Sequence, residues 1–138
     1  MKKILVMGLP GAGKTTLSIE LAKILNGVHL NADEIRKEIN KDLGFSVQDR
    51  IEHARRMGKL CNIITRSGNY AIADFVCPIP ETRDAFGLDK TFIVYVNRIP
   101  VRYFEDTSKM FIPPECDLEV TQEGCPLYWA ELIKSRLI

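Results

Sequence analysis

Residues 8–16 read Gly8-Leu9-Pro10-Gly11-Ala12-Gly13-Lys14-Thr15-Thr16, and the first eight of them match the pattern G-x-x-x-x-G-K-[ST]. The glycines of this pattern let backbone N–H groups curl around phosphate oxygens, and the helix that follows points its positive end at the anion. The lysine reaches the terminal phosphates and the threonine hydroxyl binds Mg²⁺. The stretch therefore predicts a nucleoside-triphosphate site formed by residues 8–16, in which Lys14 supports catalysis and Thr15 is a metal ligand.

The sequence on either side of this stretch fits a phosphate-binding loop. Ile4-Leu5-Val6-Met7 is short, apolar and followed by a glycine, which is typical of a buried strand. Residues 14–26 predict a helix with one apolar face, which Gly27 ends. A strand before the loop and a helix after it favour a phosphate site over a glycine-rich turn with an incidental lysine.

Strands and helices alternate along the rest of the chain. The patterns predict strands at 4–7, 28–30, 70–75, 91–96 and 118–120, helices at 14–26, 32–40, 46–67 and 127–137, and a short helical connection that contains Arg83. Such alternation implies parallel pairing and a sheet that helices cover on both faces. A chain of 138 residues has room for one domain. We therefore expect residues 1–138 to form a single α/β domain around a mainly parallel sheet.

Composition and charge argue against several classes of function. Lysine plus arginine number 19 and aspartate plus glutamate 18, and a net charge of +1 does not favour a nucleic-acid polymer or an anionic membrane as partner. No apolar stretch approaches the ~20 residues of a transmembrane helix. The four cysteines form no C-x-x-C pair, which argues against a zinc site. We expect the chain in the reducing cytoplasm with free thiols.

Residues 31–36, Asn-Ala-Asp-Glu-Ile-Arg, follow the second predicted strand at the sheet edge where ligands bind in open parallel sheets. Asp33 suits a general base toward a hydroxyl, or a residue that holds Mg²⁺ through water. Arg36, three residues further on, lies on the same side of the predicted helix and suits an anionic substrate. The alternative is that Asp33 and Glu34 simply favour the start of a helix.

The segment 42–58 carries the next candidates. Phe45 places a large apolar ring on a predicted loop, where it either stacks on a base or packs against the following helix. Ser46-Val47-Gln48-Asp49 predicts a capping box at the start of that helix. Arg50 and His53 lie about one turn apart and can face one ligand, although Arg50 also fits a solvated charged face.

Together these segments resemble the adenylyl-sulfate kinase family. The resemblance is carried by G-L-P-G-A-G-K-T-T at 8–16, L-N-A-D-E-I-R at 30–36, D-L-G-F-S-x-x-D-R-x-E at 42–52, A-R-R-M-G at 54–58, F-V-C-P at 75–78 and Arg83. The block at 42–52 is highly specific to the family, whereas the phosphate loop is not. The resemblance implies a P-loop NTPase-type three-layer fold and the ATP-dependent phosphorylation of the ribose 3′-hydroxyl of adenylyl sulfate.

The resemblance also implies roles for individual residues. Asp33 matches the catalytic aspartate, and residues 8–16 would bind ATP together with Mg²⁺ as cofactor. The positions that match substrate-binding residues of the family are Arg36, Phe45, Arg50, His53, Val76, Cys77 and Lys109. The implied partners are ATP and a small nucleotide-like anion, and because the family is often dimeric the resemblance also points to a homodimer.

Three positions depart from the family pattern. Asn31 stands where the family usually has an aspartate, so one carboxylate is missing. His53 replaces an asparagine, and its ordinary pKa of ~6.5 predicts a charge that appears as the pH falls. Asp74 is an additional carboxylate at a strand end, and it either takes a Mg²⁺ role or caps a loop.

The largest departure lies in the segment that forms a lid in the family. The basic pattern R-D-P-K-G-L-Y-K-K-A is shortened here, with Lys109 matching its first lysine, and residues 105–131 hold seven acids and one base. This change leaves two alternatives open. The chain is either a kinase for another nucleotide-linked small molecule, or a nucleotide-binding regulatory module with little turnover.

Overall fold

The computed structural model describes residues 2–98, 110–121 and 124–137. Within these ranges five strands form one sheet in the order β2-β3-β1-β4-β5, and every neighbouring pair is parallel. The strands are β1 (Lys3–Met7), β2 (Val28–Asn31), β3 (Ala71–Asp74), β4 (Thr91–Val96) and β5 (Leu118–Val120). The predicted α/β fold with a parallel sheet is therefore confirmed.

Helices connect the strands, as parallel pairing requires. The described helices are α1 (Lys14–Leu25), α2 (Ala32–Glu38), α3 (Val47–Arg66), α4 (Pro80–Phe86) and α5 (Pro126–Arg136). Ser46 caps α3 by accepting a hydrogen bond from the Asp49 N–H at 3.1 Å, which is half of the predicted capping box. The Asp49 carboxylate accepts instead from the Gly44 N–H, at 2.8 Å. In the described part of the chain, no helix combines the length and apolar character needed to cross a membrane.

The side chains of β1 alternate between two cores, one on each face of the sheet. Ile4 and Val6 pack with residues of α1 and α5, while Leu5 and Met7 pack with residues of α3 and α4. All four side chains are fully buried. Helices therefore cover both faces of the sheet, and the fold has three layers as predicted.

Several predicted helix ends differ from the structure by one or two residues, and two of these differences have a structural reason. Asn26 adopts the left-handed conformation, with φ of 51°, and ends α1 in place of Gly27. Gly27 serves a close approach instead, since a Cβ atom there would lie 3.0 Å from the Tyr70 carbonyl oxygen. Helix α2 ends at Glu38 rather than Asn40, because Asn40 turns inward to form a buried hydrogen bond.

The strand order places the predicted site residues at one edge of the sheet. Strand β1 lies between β3 and β4, so the connections on its two sides diverge and leave a crevice at its carboxyl end. The chain leaves β1 into the glycine-rich residues 8–13. Asn31 ends β2 and Asp74 ends β3, and the two are paired in register. Side chains from distant parts of the sequence therefore meet at the end of β1.

We expect Gly58→Ala to destabilise the protein, because Gly58 of α3 lies directly against the backbone of α4. A Cβ atom at this position would lie 2.0 Å from the Phe86 carbonyl oxygen. Alanine favours a helix over glycine by ~1 kcal/mol, but pushing two packed helices apart costs more. We expect a net loss of about 1–3 kcal/mol in the free energy of unfolding, measured by urea denaturation.

The control for this experiment is Lys59→Ala, at an exposed neighbouring position on the same helix. Its free energy of unfolding should stay within about 0.5 kcal/mol of the wild-type value. A Gly58→Ala protein as stable as the wild type would contradict the close packing of α3 on α4.

Candidate active site

The phosphate loop, residues 8–15, has a backbone conformation that its glycines allow. Gly8 has a φ of 153°, and a Cβ atom on it would lie 2.5 Å from the Val96 carbonyl oxygen, so the approach of β4 requires glycine here. The Lys14 Nζ donates to the Leu9 carbonyl at 2.9 Å, which folds the lysine across the loop. Burial lowers the pKa of Lys14, and the carboxylates of Asp74 and Asp33 oppose this shift.

A cavity of about 1160 Å³ opens beside this loop. The predicted site residues in its wall are Pro10, Gly11, Gly13, Lys14, Thr15, Thr16, Asp33, Arg36, Phe45, Arg50, His53, Asp74, Val76 and Cys77. Gly8, Leu9 and Ala12 belong to the loop but do not line the cavity, and Lys109 lies outside the described residues. The chain therefore brings most of the predicted residues together, while their individual roles stay predictions.

Asp74, at the end of β3, is the centre of a polar network at the base of this cavity. Its Oδ2 accepts hydrogen bonds from Thr15 Oγ1 at 2.8 Å, His29 Nε2 at 3.0 Å and Asn31 Nδ2 at 3.1 Å. Asn31 Nδ2 also donates to Thr15 Oγ1 at 3.2 Å. With Asp74 only 2% exposed, these bonds tie the ends of β2 and β3 to the first turn of α1.

The positions of the hydrogen atoms in this network follow from which groups can donate and which can accept. An ionised carboxylate can only accept, so the Thr15 hydroxyl hydrogen points at Asp74 and His29 carries a hydrogen on Nε2. Burial alone would raise the pKa of Asp74, but the hydrogen bonds from His29, Thr15 and Asn31 outweigh it and bring the pKa below its ordinary value. Asp74 is therefore a stable anion at neutral pH.

The oxygen atoms of Thr15 and Asp74 are donors of the kind that Mg²⁺ prefers. Magnesium is usually held by one or two protein groups together with substrate phosphates rather than by a cage of protein ligands. No three His, Cys, Asp or Glu side chains of the described residues come together as a metal site. No hydrogen bond between Asp74 and a loop N–H occurs in the described ranges, so the loop-capping alternative has no support there.

Asn31 uses its whole side-chain amide. Its Oδ1 accepts from the Glu34 N–H at 3.0 Å and caps α2, while its Nδ2 donates to Thr15 and Asp74. An aspartate at this position could cap the helix, but it would set a second carboxylate against Asp74. The loss of a carboxylate at 31 and the gain of one at 74 therefore belong together.

Asp33 lies two residues further on, in the first turn of α2, and its exposed side chain lines the cavity. No hydrogen bond to its carboxylate occurs within the described ranges. A carboxylate in this position is accessible to a substrate hydroxyl, which a general base requires.

The ring of Phe45 is 67% exposed, and two arginines lie close to it. The guanidinium carbons of Arg36 and Arg50 lie 4.4 Å and 5.6 Å from the ring centroid. Backbone carbonyls hold both cations, since Arg36 Nη1 donates to Gly44 at 3.0 Å and Arg50 Nε donates to Phe45 at 2.9 Å. The ring therefore packs against guanidinium groups, and we call these three residues the Arg36–Phe45–Arg50 cluster.

The two arginines of this cluster influence each other. Burial lowers the pKa of Arg36, and the charge of Arg50 lowers it further. The Nε of Arg36 is buried without a hydrogen-bond partner. Two cations held near each other and near an exposed ring form a surface suited to an anion that carries an aromatic base.

The charge predicted for His53 is not supported. His53 is 1% exposed, its Nδ1 accepts from Asn40 Nδ2 at 2.9 Å, and its Nε2 donates to the Ala32 carbonyl at 3.0 Å. Burial, assisted by the charge of Arg36, lowers the pKa of His53 to about 4. The imidazole is therefore neutral at physiological pH. Because both ring nitrogens are bonded within the protein, His53 joins α2 to α3 at the cavity wall.

Sequence reasoning missed Asn40 and Arg56, which support this wall. Asn40 is 2% exposed and its Oδ1 accepts from Arg56 Nη1 at 3.2 Å. Arg56 also donates to both carboxylate oxygens of Asp42, at 2.9 and 3.0 Å, and to Glu52 at 2.8 Å. Asn40 gave no signal, because the sequence pattern places it only as the last residue of the helix predicted at 32–40.

The loop after β3 carries Val76 and Cys77 and is held by a buried arginine. Arg83 of α4 is 5% exposed and donates to the carbonyls of Cys77 at 3.1 Å, Pro78 at 3.3 Å and Ile112. Cys77 has a φ of 49°, and burial raises its thiol pKa to about 12, so the sulfur is a neutral wall atom. Arg83 therefore joins this loop to the chain at Ile112.

We expect His53 to make the protein less stable in acid. The unfolded chain protonates this side chain near its ordinary pKa of 6.5, whereas the folded protein does so only near 4. Between these values the unfolded state binds the extra proton. The free energy of unfolding should therefore fall as the pH drops from 6.5 toward 4, by up to about 3 kcal/mol, and His53 should contribute no slope above pH 6.5.

Denaturation by urea at a series of pH values measures this slope, and the matched variant His53→Asn isolates it from the titration of carboxylates. The variant should show a shallower fall than the wild type between pH 6.5 and 4.5. Equal slopes in the two proteins would contradict a buried neutral His53.

Comparison with known proteins finds adenylyl-sulfate kinases by both family model and sequence. The family model described as adenylylsulphate kinase matches residues 2–109. An adenylyl-sulfate kinase from Staphylococcus haemolyticus is 40% identical over 82 residues, which cover 56% of this chain and 41% of that protein. Adenylyl-sulfate kinase 3 from Arabidopsis thaliana is 38% identical over 85 residues, 58% of this chain and 41% of that protein. The matches span less than half the length of these relatives.

Solved structures share the fold along nearly the whole chain. The Mycobacterium tuberculosis APS kinase in complex with AMPPNP and APS superimposes with a TM-score of 0.83 at 20% identity, covering 98% of this chain and 96% of that one. The hexameric APS kinase from Thiobacillus denitrificans matches with a TM-score of 0.75 at 25% identity, covering 98% of this chain and 28% of that one. Because the family model matches most of this chain, residues 2–109, the chain belongs to the adenylylsulphate kinase family.

Proposed function

We propose that this protein transfers the γ-phosphoryl group of ATP to the ribose 3′-hydroxyl of adenylyl sulfate. The observation that carries the proposal is the single cavity whose wall includes both the phosphate loop and the Arg36–Phe45–Arg50 cluster. One end of this cavity suits a triphosphate, and the other suits an anion that carries an aromatic base. Membership of the family supports the same reaction.

On the donor side, the phosphate loop and Lys14 neutralise the charge that the phosphates carry. The backbone N–H groups of the loop surround the α- and β-phosphates, and Lys14 leaves its Leu9 contact to reach the terminal ones. Thr15 and Asp74 are the residues that would hold Mg²⁺, which when bound neutralises phosphate charge and aligns the nucleotide. The hydrogen bonds that converge on Asp74 keep its carboxylate in one orientation for that task.

On the acceptor side, Asp33 orients the ribose hydroxyl and accepts its proton as the new O–P bond forms, while the bond from the γ-phosphorus to the bridging oxygen breaks and ADP leaves. Arg36 and Arg50 neutralise the phosphate–sulfate group, and the exposed face of Phe45 stacks on the adenine. Val76 and Cys77 supply an apolar wall behind the acceptor. His53 acts through the position of α2 rather than by touching the substrate.

The cysteines and the family resemblance bear on where the protein works and how it assembles. All four cysteines are free thiols, which supports a reducing cytoplasm. A homodimer is proposed from the family resemblance alone, and light scattering of the purified protein measures it. We also propose that residues 1–138 act as one kinase domain.

The direct test is an assay of ADP release from Mg·ATP, with and without adenylyl sulfate, followed by identification of the phosphorylated product. Release that adenylyl sulfate stimulates, with the new phosphate on the 3′-hydroxyl, supports the proposal. Stimulation only by another nucleotide-linked acceptor would favour the same chemistry on a different substrate. Nucleotide binding without turnover on any acceptor would favour a regulatory module.

We expect Arg50→Ala and Phe45→Ala each to raise the KM for adenylyl sulfate at least roughly tenfold, which corresponds to ~1.4 kcal/mol, with the KM for ATP nearly unchanged. Each change removes one of the groups that surround the acceptor. The matched control is Arg55→Ala, since Arg55 lies on the same helix and pairs with Glu52 on the surface. Wild-type acceptor KM values in both test variants would remove the support for the acceptor site.

We expect Asp33→Asn and Asp74→Asn to fail in different ways. Asp33→Asn should lower kcat on the order of 10²-fold or more, with the ATP and Mg²⁺ requirements little changed, because it removes a base. Asp74→Asn should instead raise the Mg²⁺ concentration needed for half-maximal rate at least roughly tenfold, because it removes a metal-directed charge. Titration of Mg²⁺ at saturating ATP and acceptor separates the two. If Asp33→Asn altered only the Mg²⁺ requirement, Asp33 would be a metal residue.

A further inference from the structure

We propose that Arg98 binds the phosphates of the donor nucleotide and that it approaches them from the β4 side of the phosphate loop. The inference rests on the proposed function, since it concerns the same ATP site. Arg98 is not part of the G-x-x-x-x-G-K-[ST] pattern, and it lies more than eighty residues further along the chain. The fold alone brings it to the loop.

The Arg98 side chain lies beside Gly13 of the phosphate loop. A Cβ atom on Gly13 would lie 3.1 Å from Arg98 Nη1 and 3.9 Å from its Cδ and Cζ. The first glycine of the loop contacts the same strand end, because a Cβ on Gly8 would meet the Val96 carbonyl oxygen. The residues at the carboxyl end of β4 therefore pack against the phosphate loop. The Arg98 guanidinium is the positively charged group among them.

The geometry of the transfer sets which part of the nucleotide faces this wall. The acceptor-side groups follow β2 and β3, which lie on one side of β1. In-line transfer requires the γ-phosphate to lie between the acceptor hydroxyl and the rest of the nucleotide. The α- and β-phosphates must therefore extend toward the other side of β1, where β4 ends and Arg98 lies.

Charge supports the same assignment. Within residues 2–98, 110–121 and 124–137, Arg98 has neither an ion pair nor a hydrogen bond, although its side chain is half-buried. Lys14 is the cation of the loop itself, and Arg36 and Arg50 stand on the acceptor side. In the sequence between residues 105 and 131, only one base accompanies seven acids. Arg98, at the carboxyl end of β4, would therefore supply a further positive charge to a triphosphate bound here.

The chemistry of a guanidinium suits this place. Arginine presents several N–H donors in one plane and bonds two phosphate oxygens at once. Because Gly13 belongs to the part of the loop that surrounds the α- and β-phosphates, the contact should be shared by ATP and ADP. Lys14, which reaches the β- and γ-phosphates, should instead favour ATP.

The test is calorimetric titration of the full chain with Mg·ATP and Mg·ADP, comparing the wild type with Arg98→Ala and Arg98→Gln. Both variants should bind both nucleotides about tenfold more weakly, with similar losses for the two. Arg66→Ala, at the exposed end of α3, is the matched control and should stay within twofold. Thermal melting without nucleotide should give nearly the same Tm for the wild type and Arg98→Gln.

Three results would overturn the proposal. If Arg98→Gln bound both nucleotides within twofold of the wild-type affinity, Arg98 would not contact the phosphates. If the variant lost affinity for ATP only, Arg98 would contact the γ-phosphate, which contradicts the side from which it is proposed to approach. A lower Tm with unchanged affinity would make Arg98 a packing residue.

The proposed function can fail separately. If the wild type binds both nucleotides and responds to adenylyl sulfate while Arg98→Gln binds normally, only the Arg98 inference fails. If the wild type binds neither nucleotide, the ATP site and the Arg98 inference fail together.

Discussion

The carboxylate of Asp74 joins three parts of the chain that the sequence keeps far apart, and the geometry of the site depends on it. One oxygen accepts from Thr15 at the start of α1 and from His29 and Asn31 of β2. These bonds fix the spacing between the phosphate loop and the helix that carries Asp33. Hydrogen bonds to a buried charged group are stronger than those between neutral groups. The contact therefore positions the donor and acceptor sides relative to each other.

The same contact explains why two departures from the family pattern occur together. A carboxylate at the end of β2 next to Asp74 would place two like charges a hydrogen-bond length apart in a buried site, and one of them would have to be neutralised. The amide of Asn31 avoids this and supplies a donor to Thr15 and Asp74 as well. The ends of β2 and β3 therefore meet with one carboxylate between them rather than two.

The strands, the long helices and the phosphate loop could be predicted from the sequence, because apolar periodicity and glycine spacing act locally. Strands β4 and β5 begin and end where the pattern predicted. The neutral state of His53 could not be predicted, since it depends on Asn40 and Ala32, which only the tertiary structure brings to its ring. The hydrogen bond from Arg83 to the Ile112 carbonyl likewise joins residues that are 29 positions apart in the sequence.

Arg83 also has a consequence for the free energy of binding. A loop that becomes ordered only when it meets its ligand loses conformational entropy at that moment, and the observed affinity is lower by that amount. Here the loop that holds Val76 and Cys77 is fixed by a guanidinium that donates hydrogen bonds to three backbone carbonyls. The left-handed backbone at Cys77 is thus already in place in the free protein. The entropy of ordering this wall is lost once, during folding, and is not lost again each time a ligand binds.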